Sequence, residues 1–325
     1  MARVVAVTGG CGKLGRVLAK AFLKAGWKVV AIDRPGCLPR GLPRGVELRH
    51  ADLADASDAG ERALRAAVRG CSVVVHAAGL VDYCASRKVL WRANVETTRL
   101  LLAACRGEFV GRFVLISSTS VHRIPKYLPI DELHEFTPVN DYGRSKAAAE
   151  ELVRRSHVPF VVLRLAALYG SSFAPQFERF KRAALQGKLR VIGGGGNRLG
   201  FVFESDAADA VVTAASSRRA LGEEFIIASE ERLSQAELLE AFCKAFGKQL
   251  PAKPLSKRFA YLAARVESLK KLVGLRPKLS FEDVHTLSED RHYDAGKARR
   301  LLGWRAAVPF ARGLQKMVAA MTRGV

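Results

Sequence analysis

The sequence lacks any apolar run long enough to cross a membrane. A spanning helix needs about 18 or more consecutive apolar residues, and Arg164 interrupts the longest candidate, around 160–168. The N-terminus enters a strand-like segment directly, without the charged, apolar and cleavage regions of a signal peptide. These absences favour a soluble protein of the cytoplasm.

The chain also lacks paired cysteines. Its six cysteines, at positions 11, 37, 71, 84, 105 and 243, include no C-x-x-C motif and no Cys/His spacing typical of a zinc site. We therefore expect reduced thiols, as is usual in the cytoplasm, and no bound metal.

Acidic residues are scarce relative to basic ones. The chain has 31 Asp and Glu against 53 Lys and Arg, which gives a net charge of +22. Such a charge suits contact with nucleic acid or with an anionic membrane surface. The basic residues are spread along the whole chain, however, and no basic tail, zinc finger or aromatic RNA-binding motif accompanies them. We expect a solvated basic surface and no specific nucleic-acid partner, while peripheral membrane contact stays open.

Short apolar segments alternate with helical patterns through the first 170 residues. Wholly apolar runs of strand length are typical of strands buried on both faces of a parallel sheet. The strand candidates are 3–8, 29–33, 46–49, 73–76, 113–117 and 160–165, and the helical patterns lie near 13–25, 57–68, 91–105 and 142–156. The alternation predicts an α/β fold with a doubly wound parallel sheet.

Helical patterns dominate after Gly170. They lie at about 177–186, 206–216, 234–246, 257–273, 295–302 and 310–321, with short strand candidates near 201–203 and 224–228. We therefore predict a sheet domain over residues 1–170. A smaller, mostly helical substrate lobe would follow over residues 171–325, and some of its elements would return to the main fold.

A glycine-rich turn joins the first strand to the first helix. Gly9, Gly12 and Gly15 stand three residues apart in the segment TGGCGKLG. Glycines allow a tight turn and a close approach of the backbone to a pyrophosphate, which faces the helix N-terminus. Lys13 and Leu14 complete the loop, and Leu14 in place of Ser or Thr excludes a nucleoside-triphosphatase P-loop. The strand–turn–helix setting predicts a dinucleotide-binding Rossmann domain.

Acidic residues follow the next two strands. Asp33 ends the second strand, where a carboxylate accepts hydrogen bonds from the adenosine ribose and repels a 2′-phosphate. This favours NAD as the cofactor, although the neighbouring Arg34 would suit NADP. Asp52 and Leu53 follow the third strand, where the adenine ring would lie.

A tyrosine and a lysine form the candidate catalytic pair. Tyr142 and Lys146 share one face of the predicted helix 142–156, because positions i and i+4 lie together. An ammonium beside a phenol lowers the pKa of the phenol from about 10. Tyr142 can then exchange a proton with an alcohol or a carbonyl. The same spacing recurs at Tyr293 and Lys297, which precede no further sheet strand, and we interpret this copy as a coincidence.

A serine supports the first of these two pairs. Ser118 ends the strand that precedes the helix, and the carboxyl ends of parallel strands line the cofactor crevice. Ser118 is therefore placed to hydrogen-bond the same substrate oxygen as Tyr142. A serine at this place also suits an ordinary turn.

The ordered set of motifs resembles the extended short-chain dehydrogenases/reductases of the NAD-dependent epimerase/dehydratase superfamily. The matching segments are TGGCGKLG, AIDR, ADL, VVVHAAG, RANVETTRLLLAA, VLISSTSVH, YGRSK, LRLAALYG and DAGKARRLLGW. They cover nearly the whole chain. The resemblance implies an NAD(P)-dependent enzyme with a small-molecule substrate, and it suggests a homodimer through the helices 91–105 and 142–156.

The resemblance also assigns roles to individual residues. Tyr142 would be the acid/base, Lys146 would lower its pKa and hold the nicotinamide ribose, and Ser118 would steady the substrate oxygen. His76 would be structural. The resemblance implies further cofactor residues, which are Ala77, Ala78, Gly79, Asn94 and Leu168. Asn94 would brace the loop that Ala77, Ala78 and Gly79 form.

Two departures from the nucleotide-sugar members bear on the substrate. Those members read V-Y-G after the catalytic serine, and this chain reads VHR at 121–123. They also carry an arginine for the diphosphate at the place of Leu199, and Arg198 is one residue away. The stretch 251–304 is more similar to 3β-hydroxysteroid and sterol-4-carboxylate dehydrogenases. Its predicted apolar helix 257–273 would either cover a hydrophobic substrate or pack in the core.

The sequence thus favours an NAD(P)-dependent enzyme, similar to 3β-hydroxysteroid dehydrogenases, that interconverts a secondary alcohol and a ketone. The alternative is a nucleotide-sugar epimerase, dehydratase or reductase, in which the same machinery returns the hydride within one turnover. A non-enzymatic sensor that binds a dinucleotide is a third hypothesis, which the complete set of Ser118, Tyr142 and Lys146 disfavours.

Overall fold

A parallel sheet forms the centre of the computed structural model, which describes residues 3–270, 275 and 280–322. Its strands are β1 (Val4–Thr8), β2 (Lys28–Asp33), β3 (Val46–His50), β4 (Val73–His76), β5 (Arg112–Ser118), β6 (Phe160–Leu165) and β9 (Glu223–Ile227). A separate two-stranded sheet consists of β7 (Ala167–Tyr169) and β8 (Phe201–Phe203). Among the described residues, the seven-stranded sheet has the order β3-β2-β1-β4-β5-β6-β9. The predicted doubly wound parallel sheet is confirmed.

The sheet is covered on both faces, which explains its uninterrupted apolar strands. Val5 and Val7 of β1 belong to one hydrophobic cluster, and Ala6 between them belongs to another. A strand buried on both sides needs no polar alternation. The helices of this part are α1 (Lys13–Lys24), α2 (Asp58–Val68), α3 (Arg87–Trp91), α4 (Thr97–Gly107) and α5 (Asp141–Arg154).

The remaining helices build the C-terminal part. They are α6 (Glu178–Leu185), α7 (Glu204–Ser216), α8 (Gln235–Ala245), α9 (Lys257–Ser268), α10 (Phe281–Ser288), α11 (Gly296–Leu302) and α12 (Phe310–Thr322). A third cluster, rich in aromatic residues, packs α6, α8 and α12 around β7 and β8. Strand β9 joins the main sheet and α7 lies beside α1. The domain boundary at residue 170 stays a prediction.

The structure differs from the sequence expectations at a few elements. The predicted helix 91–105 begins earlier, with α3, and a π-helical turn at Arg92–Glu96 separates α3 from α4. Helix α10 was not predicted, although Ser280 and Asp283 form a capping box at its start. The predicted helix 257–273 is described as far as Ser268, and its residues 271–273 lie outside the described part. No helix in the described ranges is long and apolar enough to cross a membrane.

A buried arginine ties α5 to the sheet. Arg164, which interrupts the apolar run of β6, is 1% exposed. Its guanidinium lies 2.8 Å from the Glu150 carboxylate of α5 and also pairs with Glu224 of β9. Ser117 donates a further hydrogen bond to Glu150. Charges are tolerated in such a place only when they are paired, so each member depends on the others.

We expect Arg164→Leu to lower the free energy of unfolding by about 3 kcal/mol, because the buried Glu150 would keep only the partly exposed Arg154 as its cation. The matched control Arg155→Leu removes an exposed pair with Glu151, and it should change stability by less than about 1 kcal/mol. Urea unfolding followed by tryptophan fluorescence measures both variants. Equal stabilities of the two would contradict the structural role of Arg164.

Candidate active site

The glycine-rich loop lies between the end of β1 and the start of α1. Gly9 has φ +65°, a conformation that favours glycine, and the Gly12 N–H donates to the Gly9 carbonyl at 2.9 Å. A Cβ at Gly15 would overlap the Gly9 carbonyl oxygen. The first N–H groups of a helix have no intrahelical acceptor, so this tight cradle at the start of α1 fits a pyrophosphate.

A cleft of about 1200 Å³ runs from this loop across the carboxyl ends of the strands. Asn94 is the one predicted site residue that does not line it. The predicted residues that do line the cleft are Gly9, Gly12, Lys13, Leu14, Gly15, Asp33, Arg34, Asp52, Leu53, Ala77, Ala78, Gly79, Ser118, Tyr142, Lys146 and Leu168. The structure therefore brings the predicted cofactor and catalytic residues into one continuous space.

Asp33 is fixed at the adenosine end of the cleft. Its Oδ2 accepts a hydrogen bond from the Cys11 N–H at 2.9 Å, and its Oδ1 accepts one from the Arg34 N–H at 2.9 Å. Each carboxylate oxygen has a second lone pair. The carboxylate can therefore still accept hydrogen bonds from ribose hydroxyls, as its place at the end of β2 requires.

Two cysteines that are distant in the sequence meet beside Asp33. The ligand atoms of Cys11, Asp33 and Cys37 lie within 4.8 Å of one another, a grouping that the scattered spacing did not predict. Burial and the Cys37 hydrogen bond raise the pKa of the Cys11 thiol to about 12. Cys11 is therefore a neutral thiol near pH 7. We assign the group to the wall of the cofactor cleft.

Asn94 braces the loop 77–80 from behind the cleft wall. Its Oδ1 accepts a hydrogen bond from the Leu80 N–H at 2.8 Å, and its Nδ2 donates to the Leu80 carbonyl and to Ser145 Oγ. Gly79 passes so close that a Cβ there would lie 2.8 Å from Asn94 Oδ1. The π-helical turn that carries Asn94 thus ties the cofactor loop to the catalytic helix α5, a common use of such turns.

His76 is enclosed among polar partners at the end of β4. Its Nδ1 lies 2.8 Å from Thr8 Oγ1 and its Nε2 lies 3.1 Å from Thr98 Oγ1. Burial, assisted by the charge of Lys146, lowers the pKa of His76 to about 3. The ring is therefore neutral, and its contacts join β1, β4 and α4 in a way that fits a structural role.

Lys146 lies in a buried position on α5. Asn140 starts this helix by accepting a hydrogen bond from the Gly143 N–H at 2.7 Å. The Lys146 ammonium donates to the Ile116 carbonyl at 2.9 Å. Burial lowers the pKa of Lys146 to about 8, and Glu150 acts against this. The ammonium thus lies directly behind the strand end that carries Ser118.

Tyr142 is 5% exposed and meets the cleft beside Ser118. Burial and the nearby Tyr83 raise the pKa of Tyr142, while a hydrogen bond with Ser118 and the charge of Arg123 oppose the rise. The ring of Tyr83 packs edge-on against Tyr142, with the ring centroids 5.5 Å apart. Arg123 is thus a cation near the phenol that sequence reasoning missed, and the signal was its replacement of the glycine in V-Y-G.

The second tyrosine–lysine spacing does not form a pair. Lys297 Nζ lies 2.8 Å from the Glu223 carboxylate, whereas Tyr293 lines the cleft. Burial raises the pKa of Tyr293, and a hydrogen bond with Thr119 and the charge of Arg123 oppose the rise. Tyr293 is therefore a cleft residue even though its spacing to the lysine has no catalytic meaning.

The cleft continues past Tyr142 into the C-terminal part, where its walls are apolar. Helices α6, α8 and α12 supply aromatic and aliphatic side chains there, among them Phe177, Phe180, Leu239, Phe242, Leu314 and Met317. Helix α9 does not contribute through its described residues. Its buried Ala260 and Ala264 pack with Ile192 and Val284 instead, as expected for a core-packing helix.

Comparisons with known proteins agree with this geometry. The NAD dependent epimerase/dehydratase family matches residues 5–228. A 2-alkyl-3-oxoalkanoate reductase from Stenotrophomonas maltophilia is 30% identical, over 97% of this chain and 98% of its own length. The decarboxylating sterol-4-alpha-carboxylate 3-dehydrogenase of Mus musculus is 25% identical, over 98% of this chain and 90% of its own.

Solved structures share the whole fold. UDP-glucose 4-epimerase from Thermotoga maritima, with UDP-glucose, has a TM-score of 0.78 at 20% identity and covers 99% of both chains. The Bordetella bronchiseptica enzyme WbmG in complex with NAD has a TM-score of 0.77 at 22% identity, over 99% of this chain and 95% of its own. The protein therefore belongs to the NAD-dependent epimerase/dehydratase family and is an enzyme of the extended short-chain dehydrogenase/reductase type.

Proposed function

We propose that the protein is an NAD-dependent oxidoreductase that interconverts a secondary alcohol and a ketone on an apolar substrate. The observation that carries the proposal is the continuity of one cleft. Tyr142 and Ser118 meet the nicotinamide end of this cleft, and the aromatic wall of α6 and α8 begins beyond them. A substrate bound against that wall would place its hydroxyl-bearing or carbonyl carbon beside Tyr142.

One of the catalytic residues transfers a proton, and the others stabilise the charge that forms on the phenol and on the substrate oxygen. When bound, the nicotinamide supplies or accepts the hydride. In reduction, the Tyr142 hydroxyl donates its proton to the carbonyl oxygen of the substrate, to which Ser118 Oγ also donates a hydrogen bond. Because burial raises the pKa of Tyr142, the phenol carries this proton near pH 7. The charge of Arg123 and the hydrogen bond with Ser118 stabilise the phenolate that remains, whereas the ammonium of Lys146 donates to the Ile116 carbonyl.

The cradle residues orient the cofactor for this chemistry. The N-terminus of α1 would hold the pyrophosphate, and Asp33 would accept hydrogen bonds from the adenosine ribose. Lys146 would donate to the nicotinamide ribose from its place behind Ser118. The loop 77–80, fixed by Asn94, would close the side of the cleft and exclude water from the reacting carbon.

The names of the two long-matching relatives support an apolar ketone or alcohol. One is a reductase of an alkyl-branched oxoalkanoate, and the other is a dehydrogenase of a sterol carboxylate. Both names describe a hydrocarbon skeleton that carries a carboxylate and one further oxygenated carbon. Such a skeleton suits a wall built from Phe177, Phe180, Phe242 and Met317.

Nucleotide-sugar epimerisation is the second candidate, because the T. maritima neighbour is such an epimerase. The residues of this cleft favour it less. Leu199 lines the cleft at the place where the resemblance expects an arginine for the diphosphate, and the described lining does not include Arg198. Net NADH formation from an alcohol supports the dehydrogenase, and sugar interconversion without net NADH supports the epimerase.

Replacing Tyr142 by Phe keeps the ring and removes the acid. We expect Tyr142→Phe to lower kcat at least about 100-fold, with NADH affinity close to that of the wild type. The control Tyr127→Phe alters an exposed tyrosine outside the cleft and should keep full activity. Absorbance of NADH reports turnover on a panel of hydroxysteroids and hydroxy acids, and fluorescence titration reports binding. Full activity of Tyr142→Phe would rule out the catalytic assignment.

The choice between NAD and NADP should depend on the charge of Asp33. We expect Asp33→Asn to raise the ratio of kcat/KM for NADPH over NADH by about tenfold or more, because the carboxylate repels a 2′-phosphate. Asp58→Asn removes the same charge at the start of α2, outside the cleft, and serves as the control. An unchanged ratio in Asp33→Asn would show that Asp33 does not determine the choice between NAD and NADP.

A further inference from the structure

We propose that Arg123 and Arg291 bind a carboxylate on the carbon next to the one that is oxidised or reduced. The substrate class is then a β-hydroxy acid or β-oxo acid with an apolar chain. The inference rests on the proposed function, because it defines the bound anion by its place beside the carbon that reacts at Tyr142.

The two arginines come from segments that are far apart in the sequence. Arg123 follows the short turn after β5 that begins at Ser118, and Arg291 lies between α10 and α11; both line the cleft. Their guanidinium groups contact neighbouring residues of one helix. Arg123 Nη2 donates to Thr286 Oγ1 at 3.1 Å, and Arg291 Nη2 donates to the His285 carbonyl at 2.9 Å.

The charges around the two arginines do not balance. Each arginine is 4% exposed, and Glu282, which is 5% exposed, pairs with Arg123. In the described ranges, no carboxylate lies within ion-pairing distance of Arg291. Asp283 is engaged in capping the start of α10. Among the described residues, Arg291 is thus a buried cation without an ion-pair partner, and an anionic ligand would supply one.

Each arginine also has one buried N–H donor without a hydrogen-bond acceptor among the described residues. The Nε atoms of Arg123 and Arg291 are buried and have no hydrogen-bond partner in the described part of the chain. A buried N–H without an acceptor is unfavourable, and native proteins rarely keep one. The guanidinium fork suits the two oxygens of a carboxylate. The unused donors thus indicate the same kind of ligand as the unbalanced charge.

The position of Arg123 sets the place of the carboxylate on the substrate. Tyr83 and Arg123 both line the cleft, and the ring of Tyr83 packs edge-on against Tyr142. The charge of Arg123 acts on the phenol of Tyr142 itself. An anion on Arg123 would therefore lie on the side of the cleft where Tyr142 protonates the substrate oxygen, while the rest of the substrate follows the apolar wall.

A carboxylate fits this site better than a diphosphate. One of the two arginines lacks an ion-pair partner among the described residues, which matches a monoanion, whereas a nucleoside diphosphate would bring further negative charge into a cleft that already has Asp283 in its wall and Glu282 paired with Arg123. Leu199, which is the bridge partner of Arg291 and lines the cleft beside it, offers no second side-chain donor for the further oxygens of a diphosphate.

The test compares an acid with its neutral ester on the enzyme loaded with NAD. We expect kcat/KM for β-hydroxymyristate to exceed that for its methyl ester by at least about 30-fold, as a charge-assisted hydrogen bond allows. Arg291→Leu should remove most of this preference by lowering the value for the acid alone, and Arg291→Lys should restore part of it. Arg299→Leu removes an exposed cation that pairs with Glu230 and should leave the preference unchanged.

A binding measurement separates failure of the carboxylate site from failure of the proposed function. Isothermal titration of myristate, methyl myristate and UDP into the NAD-loaded protein should give binding of myristate that depends on Arg291. Such binding without any NADH formation keeps the carboxylate site and contradicts the oxidoreductase. Equal turnover of acid and ester overturns the site and keeps the oxidoreductase. Binding of UDP that depends on Arg291, or no binding of myristate, also overturns the site.

Discussion

The parallel pairing of β1 with both β2 and β4 is the constraint on which the rest of the structure depends. Thr8 is paired with Ile32 on one side and with His76 on the other, so the three strands end side by side. The glycine-rich loop, Asp33 and the loop 77–80 therefore begin at one edge of the sheet. A cofactor that spans this edge meets all three without any long-range rearrangement.

Burial then decides how the side chains at this edge behave. It lowers the pKa of Lys146 and raises that of Tyr142, so it favours the neutral form of both groups. Ser118 and Arg123 act against that effect on Tyr142 and favour its phenolate. The low dielectric of the cleft makes these few contacts strong.

Local patterns in the sequence predicted most of the sheet and the cofactor cradle. Apolar runs, the glycine spacing and the strand-end Asp33 are signals of short range, which need no knowledge of packing. The meeting of Cys11 with Cys37 and of Arg123 with α10 depends on packing between distant segments. Arg123 and Thr286 are 163 residues apart, and no single-chain pattern predicts such a contact. The homodimer helices, the basic surface and the cytoplasmic location stay predictions of the sequence.

The substrate end of the cleft differs from its cofactor end in how the functional residues are brought together. The glycine-rich loop forms from one continuous stretch, whereas Arg123 and Arg291 are brought to the same part of the cleft because both contact α10. Glu282 pairs with Arg123, so Arg291 is the arginine left for a substrate. Replacing the glycine of V-Y-G by Arg123 would be unfavourable without Glu282, because the cation would be buried beside Tyr142 without a partner. Residues 123, 282 and 291 therefore act together, and we expect substrate choice in this protein to depend on all three.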